Sequence, residues 1–119
     1  VTFDPAAALV RYHALLDAHD VDGVALLLAP EVHYVSAGVG DVKGREAVLQ
    51  SMREYFATSP DHQAFDDEVK ATGPRSAQSL WRLRGTNKRT GAVVERHGIE
   101  TVTFDGDGLV LRVVVEDRG

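Results

Sequence analysis

Two periods of apolar residues alternate along the first half of the chain, and a single period governs the rest. Asp4-Pro5 is a helix start, with Asp as N-cap and Pro at the first helical position, where its missing N–H costs nothing. Beyond it Leu9, Tyr12, Leu16 and His19 recur at helical spacing, an apolar stripe carrying one phenol, with His13 and Asp17 one turn apart beside it. Asp20 caps a second, short helix through Leu28, and Ala29-Pro30 stops it. Residues 31–36 alternate as a short strand and 37–41 read as a loop. Gly44-Arg45-Glu46 opens a third helix with Val48, Leu49, Met52, Tyr55 and Phe56 on its inner face, ended by Ser59-Pro60-Asp61. From there period two takes over. Strands are predicted over 62–72, 78–86, 92–104 and 109–116, with turns at 73–76 and 87–91 and a strong hairpin signal in Asp-Gly-Asp-Gly at 105–108.

Helices followed by a meander of strands make an α+β fold. The expectation is one domain over residues 1–119: three N-terminal helices packed on a strongly curved antiparallel sheet, a cone-shaped α+β barrel. Alternation assigns Trp81, Leu83, Glu100, Val102, Phe104, Leu111, Val113 and Val115 to the inner face. The outer face then carries Leu80, Ile99, Val110 and Val114 among Arg82, Arg84, Thr101 and Arg112, with His97 on the same side. That face is too apolar to be wholly solvated, which points to a homodimer through it. Glu100 is the anomaly, a carboxyl on an apolar face. Burying it is costly unless it is neutral, paired or hydrogen-bonded.

Composition narrows the partners. A net charge of −5 without a basic run argues against nucleic acid, which demands a surface that displaces counterions. No apolar stretch is long enough to span a bilayer, so no membrane partner is expected, and with no secretory leader pattern the expected location is cytoplasmic. The absence of cysteine excludes disulfides, a thiol nucleophile and thiolate metal ligation. Asp66-Asp67-Glu68 resembles a metal cluster, but neighbours on a strand point to alternate faces and do not converge on one ion. It is read as a solvated edge, and no metal site is expected.

Three stretches resemble the SnoaL-like branch of the nuclear transport factor 2-like superfamily. They are Leu9-Val10-Arg11-Tyr12-His13-Ala14-Leu15-Leu16-Asp17-Ala18-His19-Asp20; Leu28-Ala29-Pro30-Glu31-Val32-His33-Tyr34, followed by Val42-Lys43-Gly44-Arg45-Glu46-Ala47; and Gly98-Ile99-Glu100-Thr101-Val102-Thr103-Phe104-Asp105-Gly106-Asp107-Gly108. The resemblance implies a pocket between helices and sheet, walled by Leu16, Tyr34, Met52, Phe56, Trp81, Leu83, Val102, Val113 and Val115. Compared with ketosteroid isomerase, Tyr12 falls at the oxyanion tyrosine and Glu100 at the neutral acid, but Ser36 stands where that enzyme has its aspartate base. Family dehydratases and dehydrochlorinases imply instead an Asp17–His62 dyad, a carboxylate orienting an imidazole base. Polyketide cyclases imply Glu100 as acid and base, with His33 or Tyr34 as helpers. Epoxide hydrolases of this fold use an Asp-Arg-Asp arrangement, and no aspartate accompanies Arg82 and Arg84 on their strand. Fold likeness does not choose among these. The expectation is a pocket for a small hydrophobic molecule bearing a carbonyl or hydroxyl, contacted by Tyr12 and Glu100, with any catalysis being cofactor-independent proton transfer. The opposing expectation is a non-catalytic binding or dimerisation domain whose cone is closed by Trp81, Phe56 and Met52.

Overall fold

Helix α1 (Pro5–Asp17) begins at its predicted cap, where the Asp4 carboxylate accepts the Ala7 N–H at 3.1 Å. It ends when His19 enters the left-handed region (φ 55°), which lets the Asp20 N–H reach back to the Leu15 carbonyl at 2.9 Å. Asp20 in turn caps α2 (Val21–Ala25) by accepting the Gly23 N–H at 2.9 Å. The chain continues through β1 (Leu28–Ser36), β2 (Gly40–Lys43), α3 (Arg45–Thr58), β3 (Gln63–Gly73), β4 (Ser76–Thr86), β5 (Val93–Phe104) and β6 (Val110–Asp117). This computed structural model describes residues 2–37 and 39–118.

The α+β class holds, with three differences from the expected plan. The helices are not all N-terminal, because α3 follows a β1–β2 hairpin. The expected loop over 37–41 is shorter, since residues 40–43 pair with β1 from Ser36↔Gly40 to His33↔Lys43; Gly38 lies outside the described residues. The sheet is mixed rather than antiparallel: its order is β2-β1-β6-β5-β4-β3, and β6 runs parallel to β1. Alternation assigns a face to each side chain within an unbroken run, but not which neighbour a strand meets. The four-strand meander brings β6 back beside β1, and its direction follows from the meander alone.

Between helices and sheet lies a core of Leu9 and Tyr12 from α1, Val48, Leu49 and Met52 from α3, and Val102, Phe104 and Val113 from the sheet. Two bulges decide which residues join it. Opposite β5, Thr103 pairs with Arg112 and Phe104 with Val110, leaving Leu111 as an extra residue. Val110, expected outside, therefore turns inward and is 1% exposed, while Leu111 loses its inner place. Opposite β4, Asp66 faces Trp81 and Glu68 faces Leu80, so Asp67 is the extra residue of β3. Asp66 consequently shares the inner face with Trp81, whereas Asp67 pairs on the other side with Arg82 at 2.9 Å. The solvated edge expected at 66–68 is corrected for Asp66.

Gly98 makes room for the sheet's one tryptophan. It lies directly across from Trp81, and a Cβ there would fall 2.8 Å from Trp81 Cζ2 and 1.9 Å from the Glu116 carbonyl oxygen. On the outer face Phe65 and Leu80 are exposed, with the Arg82 guanidinium stacked 4.6 Å from the Phe65 ring centroid, and His97 is exposed beside them.

Candidate functional site

An open cavity of about 120 Å³ lies between α1, α3 and the inner face of the sheet. Helix α1 contributes Leu16, α3 contributes Met52 and Phe56, and the strands contribute Tyr34, Trp81, Leu83 and Val115. These walls form because each element turns its apolar side inward. One end of the cavity is polar.

That polar end is built on His13, which sits between two carboxylates from different strands. Its Nδ1–H donates to both oxygens of Asp66, at 2.7 and 2.9 Å, and its Nε2–H donates to Glu100 Oε2. Asp66 is braced from behind by the Ser79 hydroxyl, which donates to Oδ1 at 2.5 Å. Glu100 and Ser79 are both buried, and the His13 side chain is 14% exposed. Burial alone would drive the imidazole toward its neutral form, but Glu100 and Asp66 outweigh it and lift the His13 pKa to about 10. Asp66 is held below the usual carboxylate range: burial opposes this, but the His13 hydrogen bond and charge and the Ser79 hydrogen bond prevail. At neutral pH His13 is an imidazolium held between the Asp66 and Glu100 side chains. The anomaly of Glu100 is resolved by pairing.

Other polar groups surround the cavity. Tyr34 lines it and makes no side-chain hydrogen bond among the described residues, and burial followed by the nearby Glu100 charge raises its phenol pKa. Farther along, Tyr55 Oη and His62 Nδ1 share a 2.8 Å hydrogen bond, and burial lowers the His62 pKa, so this imidazole is neutral. Arg96 lines the cavity while its Nε–H and Nη2–H donate to the two Asp117 oxygens at 2.7 and 2.6 Å. Ser36 lines it too, its hydroxyl accepting the Val39 N–H at 2.9 Å.

Of the residues expected at the site, Leu16, Asp17, Tyr34, Met52, Phe56, His62, Trp81, Leu83, Glu100 and Val115 line the cavity. Val102 and Val113 lie in the core instead. Tyr12 is corrected as well: it is fully buried beside Leu9, its hydroxyl has no partner among the described residues, and burial raises its pKa well above 10.0. The reason is rotational. Helix α1 turns His13, Leu16 and Asp17 toward the cavity, and Tyr12, about 100° from His13 around the axis, falls on the side packed into the core. Asp17 and His62 share the cavity but not a hydrogen bond, since the partner of His62 is Tyr55. His33 pairs with Asp41 at 2.6 Å and lies outside the cavity lining.

Sequence reading passed over His13, Asp66, Tyr55 and Arg96 as members of the site. A signal existed for the first: His13 precedes Leu16 by three residues and Asp17 by four, the spacing of one helical face. Counting by twos from Glu100 also reaches Arg96 on the same strand face. Asp66 depended on a bulge position that sequence does not mark.

The family model for the SnoaL-like domain matches residues 9–113. Among solved structures, a Mycobacterium tuberculosis protein in complex with estradiol-17β-hemisuccinate superposes with a TM-score of 0.82 at 21% identity, covering 95% of this chain and 93% of that one. A computationally designed 17-OHP binder gives 0.82 at 20%, covering 96% and 93%. An epoxide hydrolase/cyclase-like enzyme of pyran ring formation in the polyether salinomycin gives 0.81 at 14%, covering 94% and 88%. No functionally curated protein matches significantly in sequence. At these identities the structural likeness speaks to fold, whereas the family match spans most of the chain. The chain therefore belongs to the SnoaL-like domain family.

Proposed function

We propose that the cavity binds a small, largely apolar molecule and receives its polar group at Glu100. The observation that carries this reading is the placement of buried Glu100, paired with His13, at the polar end of an open cavity whose other end is walled by apolar and aromatic side chains. Trp81, Phe56 and Met52 form its walls without closing it, which favours a binder over a filled scaffold. Glu100 Oε2 is committed to His13, so Oε1 is the oxygen available to a ligand. For a ketone, that oxygen is suited to take a proton from the carbon beside the carbonyl, and the Tyr34 hydroxyl is suited to donate to the enolate oxygen. This is cofactor-independent isomerase- or cyclase-type chemistry with Tyr34 in the role expected of Tyr12.

A second reading, elimination with His62 as base, is favoured by one observation: His62 is a neutral imidazole on the cavity wall. Tyr55 rather than Asp17 would then orient it. The single domain, the cytoplasmic location and a homodimer through the outer sheet face belong to the same proposal, the last supported by exposed Phe65 and Leu80.

The test uses Trp81, the only tryptophan, whose emission reports directly on the cavity. Steroidal, terpenoid and phenolic alcohols and ketones are titrated against wild type and Glu100→Gln. Binding by at least one class, weakened several-fold in Glu100→Gln, is expected. Bound ketones are then followed by NMR for solvent-deuterium exchange beside the carbonyl, which proton transfer requires and simple binding does not. If no neutral apolar compound perturbs Trp81, or hits ignore Glu100→Gln, the reading fails.

A further inference from the structure

The charged groups around the cavity are unequally satisfied. Both nitrogens of His13 are taken, one by Asp66 and one by Glu100. Arg96 is held by both oxygens of Asp117. Each cation of the lining is therefore already paired with a carboxylate. The anions are not all engaged: Glu100 keeps Oε1 free, and Asp17, one helical turn beyond His13, has no ion-pair partner among the described residues. Asp17, Asp66 and Glu100 face His13 and Arg96 in the lining, and Asp117 stands against Arg96 from outside it. Acidic side chains of the lining, Asp17, Asp66 and Glu100, outnumber its cations, His13 and Arg96.

The walls add a second, independent term. Tyr34, Phe56 and Trp81 line the same cavity, where the Arg96 guanidinium already lies 5.8 Å from the Trp81 ring centroid and His19 stacks on Phe56 at 4.1 Å, and the face of an aromatic ring attracts a cation electrostatically. A carboxylate ligand would enter a lining in which acidic side chains outnumber cations and each cation is already paired, an arrangement that disfavours it. An alcohol would satisfy one acceptor. A protonated amine would satisfy both and gain from the rings.

We infer that the preferred ligand is an organic ammonium compound, a protonated amine on an apolar body, seated between Asp17 and Glu100 against the aromatic walls. This rests on the pocket reading above and sharpens it by naming the charge of the ligand.

Three probes of nearly equal shape separate the two claims: cyclohexylmethylamine, cyclohexylmethanol and cyclohexanecarboxylate, titrated at neutral pH with Trp81 emission as readout. The amine is expected to bind about fivefold or more tighter than the alcohol, and the carboxylate weakest, the scale of a partly desolvated cation over aromatic faces. In Asp17→Asn, a conservative change at the cavity rim, the amine-to-alcohol ratio falls toward one; Glu100→Gln, checked for folding by circular dichroism, does the same. Added salt shrinks the ratio in wild type. Carboxylate binding as tight as the amine overturns the inference, as does an amine advantage that persists in Asp17→Asn. Binding of the alcohol alone overturns it while leaving the pocket reading standing. Silence from all three, the uncharged alcohol included, counts against both.

Discussion

His13 holds together side chains from three elements, and its removal has consequences that differ from those of its neighbour. Replacing it with leucine leaves Glu100 and Asp66 facing each other without a cation. Breaking a buried pair in this way costs about 3–5 kcal/mol, because an uncompensated charge remains inside. Urea denaturation of His13→Leu is expected to show a loss of that size; a loss below about 1 kcal/mol would mean the array is not a buried ion pair. Tyr12→Phe should behave in the opposite sense. Its hydroxyl is buried without a partner among the described residues, and deleting an unsatisfied polar group is neutral or stabilising by up to about 1 kcal/mol. Ligand affinity should not change either. A marked loss of binding in Tyr12→Phe would restore the phenol to the site.

At the scale of the element, backbone irregularities set the site as much as side chains do. The extra residue at Asp67 keeps Asp66 inward within reach of His13, and the extra residue at Leu111 brings both Val110 and Val113 into the core. Strand β5 carries Gly98, the glycine over which Trp81 packs. Gly98→Ala places a methyl group against both the indole and the Glu116 carbonyl. We expect destabilisation of about 1–3 kcal/mol from overpacking and a shifted Trp81 emission maximum. Unchanged emission and stability would show that the indole has room to spare. The strands were legible from alternation and the helices from caps, because both signals are local. The bulges were not, since an extra residue is defined only against the partner strand.

For the molecule as a whole, the array at the cavity end couples folding to pH. His13 titrates near 10 when folded, against 6.5 for an ordinary histidine, so its stabilisation is full below about pH 6.5 and vanishes as pH rises through about 10. Asp66 has the opposite sign: its folded pKa is lowered, so its share is complete above about pH 4 and disappears as pH falls through the folded value. Stability should hold from about pH 4 to 6.5 and decline toward pH 10, read as urea midpoints across that range. In His13→Gln the alkaline decline should flatten; if it does not, other groups drive it. The proposed dimer is also a property of the whole. Leu80→Arg on the exposed outer face should convert a dimer to a monomer in light scattering without lowering the thermal midpoint of the fold by more than a few degrees. A dimer that survives Leu80→Arg does not use this face.

By itself the sequence determined the class of fold, the extent of most elements and the burial of Glu100. Periodicity, caps and turn residues act within a few positions of one another and are written along the chain. Tertiary structure alone decided what Glu100 pairs with and which residue of α1 faces the cavity. His13 and Glu100 are 87 positions apart, and Asp66 is 53 from His13. Their meeting depends on the meander's direction, the bulge at Asp67 and the rotation of α1 about its axis. A turn of about 100° separates Tyr12 in the core from His13 at the site, and only packing against the sheet fixes that angle.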